Sequence, residues 1–511
     1  MKKIGVLLCL LVLFGVSMNL YEVGAATLPT EDAAEIVLAE GETYAPQTRQ
    51  WQGIPGVEVT DGGRIWATFF TGGEKEPNSE NYVVVSYSDD GGEAWRDPFF
   101  VIRHPASDVR TYDPSLWIDP LGRLWCTWCQ ARNDYLDLKT WAVVIAEPDA
   151  PVAELEKEIA SASPRMLSDG VKLNKFLVLE NGDWLYFTAA TVPSAITVHA
   201  SVNNGADWTV RSTVSGNGLN VTEPCAVQLE NGEIVLMTRI EKNMGGGIGR
   251  SVSKDNGYTW SEYASDLGAP LRGPSTRFAL YRLESGNLLF VNNDSDTSRT
   301  NLTAYLSTDG GATWGCSLLL DERSSVSYPD VTQDKDGFIY VIYDKGRYEE
   351  KEIRITKFTE QDMLDGFIHS EGSYVRMAVS VLGGTSDITA VNTQFEREQR
   401  FTTEAKLVDI RASLPKTIEV TASDGKTYTL EGKWSVENFT EGEEGMYQFV
   451  FSAAEDMLRY KLYDAHALLT STVIVEKSGG CSSVLGGGSV CLGAGLAAAS
   501  FVIFRKKGEK L

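Results

Sequence analysis

Four side chains in three separate segments could together perform chemistry on an acidic ligand. Glu223 and Arg239 share one segment, Arg299 lies in a second segment and Tyr328 lies in a third. A phenol with its ordinary pKa of about 10 is a poor nucleophile, so it needs a neighbouring base, which a carboxylate such as Glu223 can supply. Planar guanidinium groups bind carboxylates through two parallel hydrogen bonds, so the two arginines suit an anionic partner.

Each of these residues also has a purely structural interpretation. Glu223 precedes a proline and could belong to a turn, either arginine could be a surface cation, and Tyr328 could pack in the core. The residues therefore need a framework that brings distant segments together.

One short pattern, Ser-x-Asp/Asn-x-Gly-x-x-Trp, recurs four times and predicts that framework. The copies begin at Ser88, Ser201, Ser253 and Ser307, and each follows a run that is rich in β-branched and aromatic residues. In a hairpin, the Asp or Asn bonds its own backbone, the Gly takes a positive φ and the Trp packs over the corner. The first two copies lie about twice as far apart as the others, so we expect one unit without the pattern.

Six further runs join a Gly-containing turn to an apolar strand. They begin at Asp61, Pro120, Asn181, Asn231, Ser285 and Asp336. One such run per unit predicts an all-β, six-bladed β-propeller over residues 27–375. Apolar residues at helical spacing predict a short helical insert at 150–164.

The four copies resemble the Asp-box of sialidases (neuraminidases) and related propellers, and the three segments follow the order of that family. The resemblance implies an exo-α-sialidase that retains the anomeric configuration, with Tyr328 as nucleophile and Glu223 as its base. It further implies that Arg239 and Arg299 bind the carboxylate of sialic acid. A neutral phenol suits this substrate, because a carboxylate nucleophile would be repelled by the acid group on the reacting carbon.

The chain departs from the family pattern in the first blade. Where the family carries Arg-Ile-Pro, this sequence reads Gly53-Ile-Pro, so the expected arginine is missing. Arg49 or Arg277 could complete the cluster, and we prefer Arg49 because it lies in the same blade.

A second departure concerns the general acid. The family places an aspartate in the loop after the first blade's second strand, but this loop offers only glutamates. We predict Glu76 as the proton donor and Glu80 as the second choice, because burial could raise the pKa of either one. Asp113 resembles a residue of the family that contacts the sugar ring, although it could equally belong to a turn.

Composition excludes other classes of protein. The net charge of -24 and the lack of a basic cluster away from the two ends argue against nucleic-acid binding. Four His residues and a single Cys126-x-x-Cys129, read as part of a strand, disfavour metal or redox chemistry. The resemblance implies no metal or organic cofactor.

The ends of the chain predict export and attachment to a membrane. Residues 1–26 have the basic, apolar and small-residue order of a cleaved signal peptide. Residues 484–504 are apolar and long enough to span a bilayer, and 505–511 form a basic cytoplasmic tail. Between these parts, 395–478 resembles a bacterial Ig-like β-sandwich. We therefore expect an exported protein that is held on the extracellular face of the cell envelope.

Two alternatives to a sialidase stay open. The altered first blade could suit another acidic sugar, such as a different nonulosonate or a uronate. The propeller could instead bind sialylated or other acidic glycans without cleaving them.

Overall fold

The computed structural model describes residues 28–477, apart from 40, 133–134, 191–193, 245, 266, 269, 383–386, 423–426, 437–438, 454–458 and 461–469. The predicted signal peptide, membrane span and basic tail lie outside these residues. No helix in the described ranges is both long and apolar enough to cross a membrane.

Strands dominate the described chain, as the all-β prediction requires. Six antiparallel sheets follow one another from residue 35 to residue 381. The first sheet contains β1 (Glu35–Leu38), β2 (Gln52–Val59), β3 (Ile65–Thr71), β4 (Tyr82–Ser88) and β5 (Arg96–Arg103). The second contains β6 (Val109–Ile118), β7 (Leu124–Arg132), β8 (Leu136–Ile145) and β9 (Arg165–Asp169). The third contains β10 (Leu177–Val178), β11 (Trp184–Ala190), β12 (Ala195–Ser201) and β13 (Thr209–Ser215).

The next three sheets repeat this up-and-down order. The fourth contains β14 (Val221–Gln228), β15 (Ile234–Ile240) and β16 (Ile248–Ser253). The fifth contains β17 (Ala279–Arg282), β18 (Leu288–Asn293), β19 (Thr300–Ser307) and β20 (Cys316–Ser324). The sixth contains β21 (Val326–Gln333), β22 (Phe338–Lys345), β23 (Glu352–Thr359) and β24 (Tyr374–Val381). The six runs that the sequence predicts as second strands form β3, β7, β11, β15, β18 and β22, while the predicted domain end at 375 is wrong because β24 continues to Val381.

The first long strands of the sheets lie against one another, and the last of them returns to the first. β2 contacts both β6 and β21, and β17 contacts both β14 and β21. Lys175 ties three sheets together at this centre, because its ammonium group donates to the carbonyl oxygens of Val57 and Leu116 and pairs with Asp330 at 3.2 Å. Side chains from different sheets therefore converge on one central axis.

The four repeated turns begin at the last residues of β4, β12, β16 and β19, and they form the same hydrogen-bonded structure. In the third copy, Ser253 Oγ donates to Asp255 Oδ1 at 2.9 Å and accepts from the Gly257 amide at 2.8 Å. Gly257 has a φ of 86°, as the turn requires. In the second sheet the equivalent connection holds the helix α1 (Val152–Ala160), which confirms both the helical insert and the unit that lacks the pattern.

The remaining helices are short. In the sixth sheet, α2 (Glu360–Asp365) joins β23 to β24, and α3 (Leu407–Ala412) follows later in the chain. Single turns of 3-10 helix occupy Pro29–Glu31, Pro46–Thr48 and Lys242–Met244.

A seventh sheet follows the six. It contains β25 (Asp387–Val391), β26 (Glu398–Thr402), β27 (Thr417–Ala422), β28 (Thr427–Val436), β29 (Gly445–Ala453), β30 (Arg459–Tyr460) and β31 (Thr470–Glu476). β27 and β28 pair as the predicted hairpin, and two pairs in this sheet are parallel. The Ig-like class of this region stays a prediction.

Candidate active site

A repeated local distortion aims four side chains at the central axis. Ile54, Asp113, Glu223 and Tyr328 each precede a proline in the first long strand of a sheet, and each has a φ between 48° and 56°. At each of these sites the pairing with the next strand skips two residues, as in a β-bulge. A proline has no amide hydrogen, so at the proline itself the interrupted ladder leaves no donor unpaired. The bulge turns the preceding side chain away from the sheet.

All four of these side chains line one cavity of about 720 Å³. Arg239, Arg299 and Arg347 line it as well, together with Glu76 and Glu241. The less polar residues of the lining include Ile54, Tyr135, Leu138, Val171 and Ala189. The volume is in the range that suits a small-molecule ligand.

Tyr328, Glu223 and Arg239 form a triangle of short hydrogen bonds. Tyr328 Oη donates to Glu223 Oε1 at 2.7 Å, and Arg239 Nη1 donates to the same carboxylate oxygen at 2.9 Å. Arg239 Nη1 also donates to Tyr328 Oη at 2.9 Å. The pairing of Thr222 with Arg239 in the fourth sheet places the arginine beside Glu223. A carboxylate and a phenol are thus in direct contact, as the predicted pairing of Glu223 with Tyr328 requires.

The surroundings keep the phenol protonated at rest. Burial and the neighbouring Glu223 raise the pKa of Tyr328 above its ordinary value, while the guanidinium groups of Arg239, Arg347 and Arg299 oppose this shift. Those same three cations would stabilise a phenolate that forms when Glu223 takes the proton. The arrangement is chemically suited to transfer of the phenolic proton to Glu223.

Arg299 lines the same cavity and faces Tyr328, and its hydrogen bonds to the described residues are long. Its Cζ lies 5.2 Å from the centre of the Tyr328 ring. Its donors reach Ser327 Oγ at 3.5 Å and the carbonyl oxygen of Ser275 at 3.3 Å. Bonds of this length are weak, so the guanidinium group can turn to a ligand in the cavity.

Arg49 and Arg277 do not complete the arginine cluster, so both predictions are wrong. Arg49 is buried in an ion pair with Asp97 at 2.7 Å, although it lies near Gly53 in sequence. Arg277 is buried beneath Tyr328, where it donates to the carbonyl oxygens of Pro329 and Pro55 at 2.8 and 2.9 Å. Neither belongs to the residues that line the cavity.

Arg347 lies in the cavity instead, and the sequence analysis missed it. Its Cζ is 4.3 Å from the centre of the Tyr328 ring, and its Nη1 donates to Glu76 Oε1 at 2.8 Å. It follows the second strand of the sixth sheet by two residues, whereas Arg239 lies within the second strand of the fourth, one residue before its end. Local sequence therefore gave no signal that Arg347 reaches the cavity.

The three carboxyl groups singled out in the sequence, those of Glu76, Glu80 and Asp113, lie in different environments. Glu76 lines the cavity and pairs with Arg347, whereas Glu80 is exposed and outside the lining, so its assignment as an alternative acid is wrong. Asp113 also lines the cavity, and no described residue hydrogen bonds to its carboxyl group. Burial and the nearby charges of Glu76 and Glu223 raise the pKa of Asp113 to about 7. Asp113 therefore has the property that the sequence analysis expected of a glutamate.

Glu241 is another residue that sequence reasoning missed. Its Oε2 accepts from Arg239 Nη2 at 3.0 Å and from Ser275 Oγ at 3.3 Å, and Arg239 Nε donates to Ser275 Oγ at 3.0 Å. These contacts fix the orientation of Arg239 toward Tyr328.

Elsewhere, the Cys-x-x-Cys pair lies within β7, as predicted for a strand. Cys126 and Cys129 are buried free thiols, and burial raises the pKa of both to about 12. Among the described residues, no group of three or more His, Cys, Asp or Glu side chains is placed to hold a metal ion.

Comparison with known proteins identifies the class. The sequence model of the BNR repeat-like domain family matches residues 63–341, so the chain belongs to this family within the sialidase superfamily. A sialidase of Bacteroides fragilis (strain YCH46) is 24% identical over 331 residues, which cover 57% of this chain and 59% of that protein. A sialidase of Micromonospora viridifaciens is 29% identical over 165 residues, covering 31% of this chain and 25% of the relative.

Solved structures with similar chains include sialidases. A Hadza microbial sialidase is 21% identical with a TM-score of 0.47, over 58% of this chain and 63% of the other. The NanB sialidase of Streptococcus pneumoniae is 14% identical with a TM-score of 0.48, over 65% and 71% of the two chains.

Proposed function

We propose that the protein is an exo-acting glycoside hydrolase of the sialidase type, which releases terminal sialic acid from glycoconjugates and retains the anomeric configuration. The proposal treats the six consecutive sheets as the blades of a six-bladed β-propeller. One observation carries it: the 2.7 Å hydrogen bond from Tyr328 to Glu223, beside three guanidinium groups in one cavity. Membership of the sialidase superfamily supports the same substrate class.

In the first step, Glu223 takes the phenolic proton while Tyr328 Oη bonds to the anomeric carbon. The glycosidic bond breaks, and the leaving oxygen takes a proton from a carboxylic acid in the cavity. Water then attacks the anomeric carbon and gives its proton to that carboxylate. Tyr328 leaves and regains its own proton from Glu223, so the enzyme returns to its starting state.

We assign the proton donor to Asp113, with Glu76 as the alternative. The raised pKa of Asp113, to about 7, means that the group is protonated in weakly acidic solution. Glu76 also reaches the cavity but is already engaged by Arg347 at 2.8 Å. A general acid needs its proton at the working pH, which favours Asp113.

The test is hydrolysis of an aryl sialoside by the full chain, with Tyr328→Phe measured alongside. We expect release of the phenol by the unchanged protein and a loss of at least about 100-fold in kcat for the variant, as for removal of a nucleophile. Equal activity of the two proteins would refute the role of Tyr328. Cleavage of an aryl uronide but not of the sialoside would support the alternative acidic sugar, and glycan binding without cleavage of either would support a binding propeller.

Export and attachment to the cell envelope form a separate part of the proposal. It rests on the sequences of residues 1–26 and 484–511, and the Ig-like assignment of 395–478 likewise rests on sequence. Fractionation of cells that express the full chain tests it, with a chain ending at 478 as the control. We expect only the full chain in the membrane fraction, and equal distribution of both chains would refute the anchor.

A further inference from the structure

The glycine at position 53 leaves room for a side chain from another sheet. A Cβ atom built on Gly53 would lie 2.7 Å from Arg347 Cδ, 2.7 Å from its Nε and 2.9 Å from its Cγ. Real Cβ atoms do not approach other heavy atoms this closely. Any larger residue at position 53 therefore excludes Arg347 from its present place, and Arg347 excludes any larger residue at 53.

Arg347 is held rigidly in that space. Its Nε donates to Asp344 Oδ2 at 2.7 Å. Asp344 is fully buried and is itself fixed by the Ile54 amide at 2.9 Å and by Ser327 Oγ at 2.6 Å. The first and sixth sheets thus hold the arginine from both sides, and its guanidinium group lies against the face of Tyr328.

One end of this guanidinium group has no hydrogen-bond partner in the part of the chain that the structure describes. Nη1 is bonded to Glu76, but Nη2 is buried and no atom of the described residues accepts a hydrogen bond from it. A buried donor without an acceptor is unfavourable unless a ligand completes it. Arg347 lines the cavity, so a carboxylate bound there could supply the missing acceptor.

The donors of Arg239, in contrast, are already engaged. Ser275, Glu223 and Glu241 take bonds from its Nε, Nη1 and Nη2. The more available cations of the cavity are therefore Arg347 and the loosely bound Arg299.

We propose that Arg347 replaces the arginine missing from position 53 and is a principal receptor for the acid group of the sugar. The same role is thus filled from the sixth sheet rather than from the first, and Gly53 is the residue that permits the exchange. This inference deepens the proposed function and rests on it for the class of ligand, a sugar with a carboxylate.

Calorimetric binding tests this inference apart from catalysis. The probes are N-acetylneuraminate and glucuronate, each compared with its neutral methyl ester, and the protein is the full chain. We expect the unchanged protein to prefer at least one acid over its ester, and Arg347→Ala to weaken binding of that acid by roughly 10- to 100-fold while the ester is affected little. Arg103→Ala removes an exposed arginine that pairs with Glu35, and it serves as the control with unchanged affinity.

Relocation of the arginine gives the sharper result. Gly53→Arg alone should lose the preference for the acid, because the new side chain collides with Arg347. The double variant Gly53→Arg/Arg347→Ala should recover part of it, since the arginine then returns to position 53. Gly53→Ala provides a milder displacement and should weaken acid binding to a smaller degree.

The outcomes separate the two proposals. Loss of acid binding in Arg347→Ala, in a chain that cleaves no sialoside, supports the receptor role and refutes the proposed reaction. A folded Arg347→Ala that keeps the full preference for the acid overturns the inference, even if sialosides are cleaved. Equal affinity of the unchanged protein for acids and esters overturns it as well. If Arg347→Ala does not fold, Gly53→Ala decides, and an unchanged preference in that variant overturns the inference.

Discussion

The contact between Tyr328 and Glu223 yields the sharpest prediction. In Glu223→Gln the side chain keeps its shape and can still accept a hydrogen bond from the phenol, but a neutral amide cannot take up the proton. Among the residues that the structure describes, Tyr328 and Arg239 are the donors to the carboxylate oxygen involved, at 2.7 and 2.9 Å. The substitution therefore removes proton transfer while it leaves the packing in place.

The expected loss follows from the usual effect of a positioned base. Such a base accelerates a reaction by about 10²- to 10⁴-fold. At 1.36 kcal/mol for each factor of ten in kcat, the activation free energy of the reaction catalysed by Glu223→Gln should rise by about 3 to 5 kcal/mol. The assay is steady-state release of phenol from an aryl sialoside, with folding checked by the melting temperature.

Glu241→Gln is the matched control. Glu241 also pairs with Arg239, at 3.0 Å, but its described contacts do not include Tyr328. Either substitution removes one ion pair of Arg239 and should loosen that side chain. For Glu241→Gln we expect kcat to fall by about fivefold or less, since a partly exposed ion pair contributes about 1 kcal/mol. If Glu223→Gln loses no more activity than Glu241→Gln, Glu223 is not the base.

Three further predictions concern the other carboxyl groups and the turns. Asp113→Asn should lose at least about 100-fold in kcat on an alkyl sialoside, but little on an aryl sialoside, whose good leaving group needs no proton. If Glu76→Gln shows this pattern and Asp113→Asn does not, Glu76 is the acid. Because the pKa of Asp113 is raised in the folded protein, its stabilising contribution is complete below pH 4 and is lost as the pH rises through about 7. Asp113→Asn should therefore raise the free energy of unfolding more at pH 8 than at pH 4, by no more than about 4 kcal/mol in urea unfolding, and an equal change at both pH values would contradict this. Ser253→Ala removes the hydroxyl group that bonds Asp255 and Gly257, so urea unfolding should show a loss of about 1–3 kcal/mol with kcat unchanged, and a fall in kcat of the folded variant would refute a purely structural role.

Most of the framework could be predicted because it depends on local patterns. The repeated turns need Ser, Asp or Asn, and Gly at fixed offsets, and each copy forms the expected hydrogen bonds wherever it occurs. The second strands follow from apolar runs after a Gly turn, and all six were located correctly. The end of the sixth sheet was misplaced because nothing local marks a stop at 375, and the hydrogen bonds to β23 extend β24 to Val381.

The candidate site was predicted in part. Glu223, Tyr328, Arg239 and Arg299 stand in segments with a recognisable order, and the structure brings all four to one cavity. The prolines at the four bulges are a further signal in the sequence for residues of the site. They mark the strand positions whose side chains turn to the axis, and Asp113 is among them.

The sequence by itself determined the strands, the repeated turns and the pairing of a phenol with a base, because each depends on residue types at short spacing or in a fixed order. Only the tertiary structure decided which arginine completes the cluster. Arg49 is near Gly53 along the chain, yet its ion pair with Asp97 holds it away from the cavity. Arg347 is distant along the chain but reaches the cavity, because closure of the sixth sheet against the first brings it into the space that a residue without a side chain leaves free.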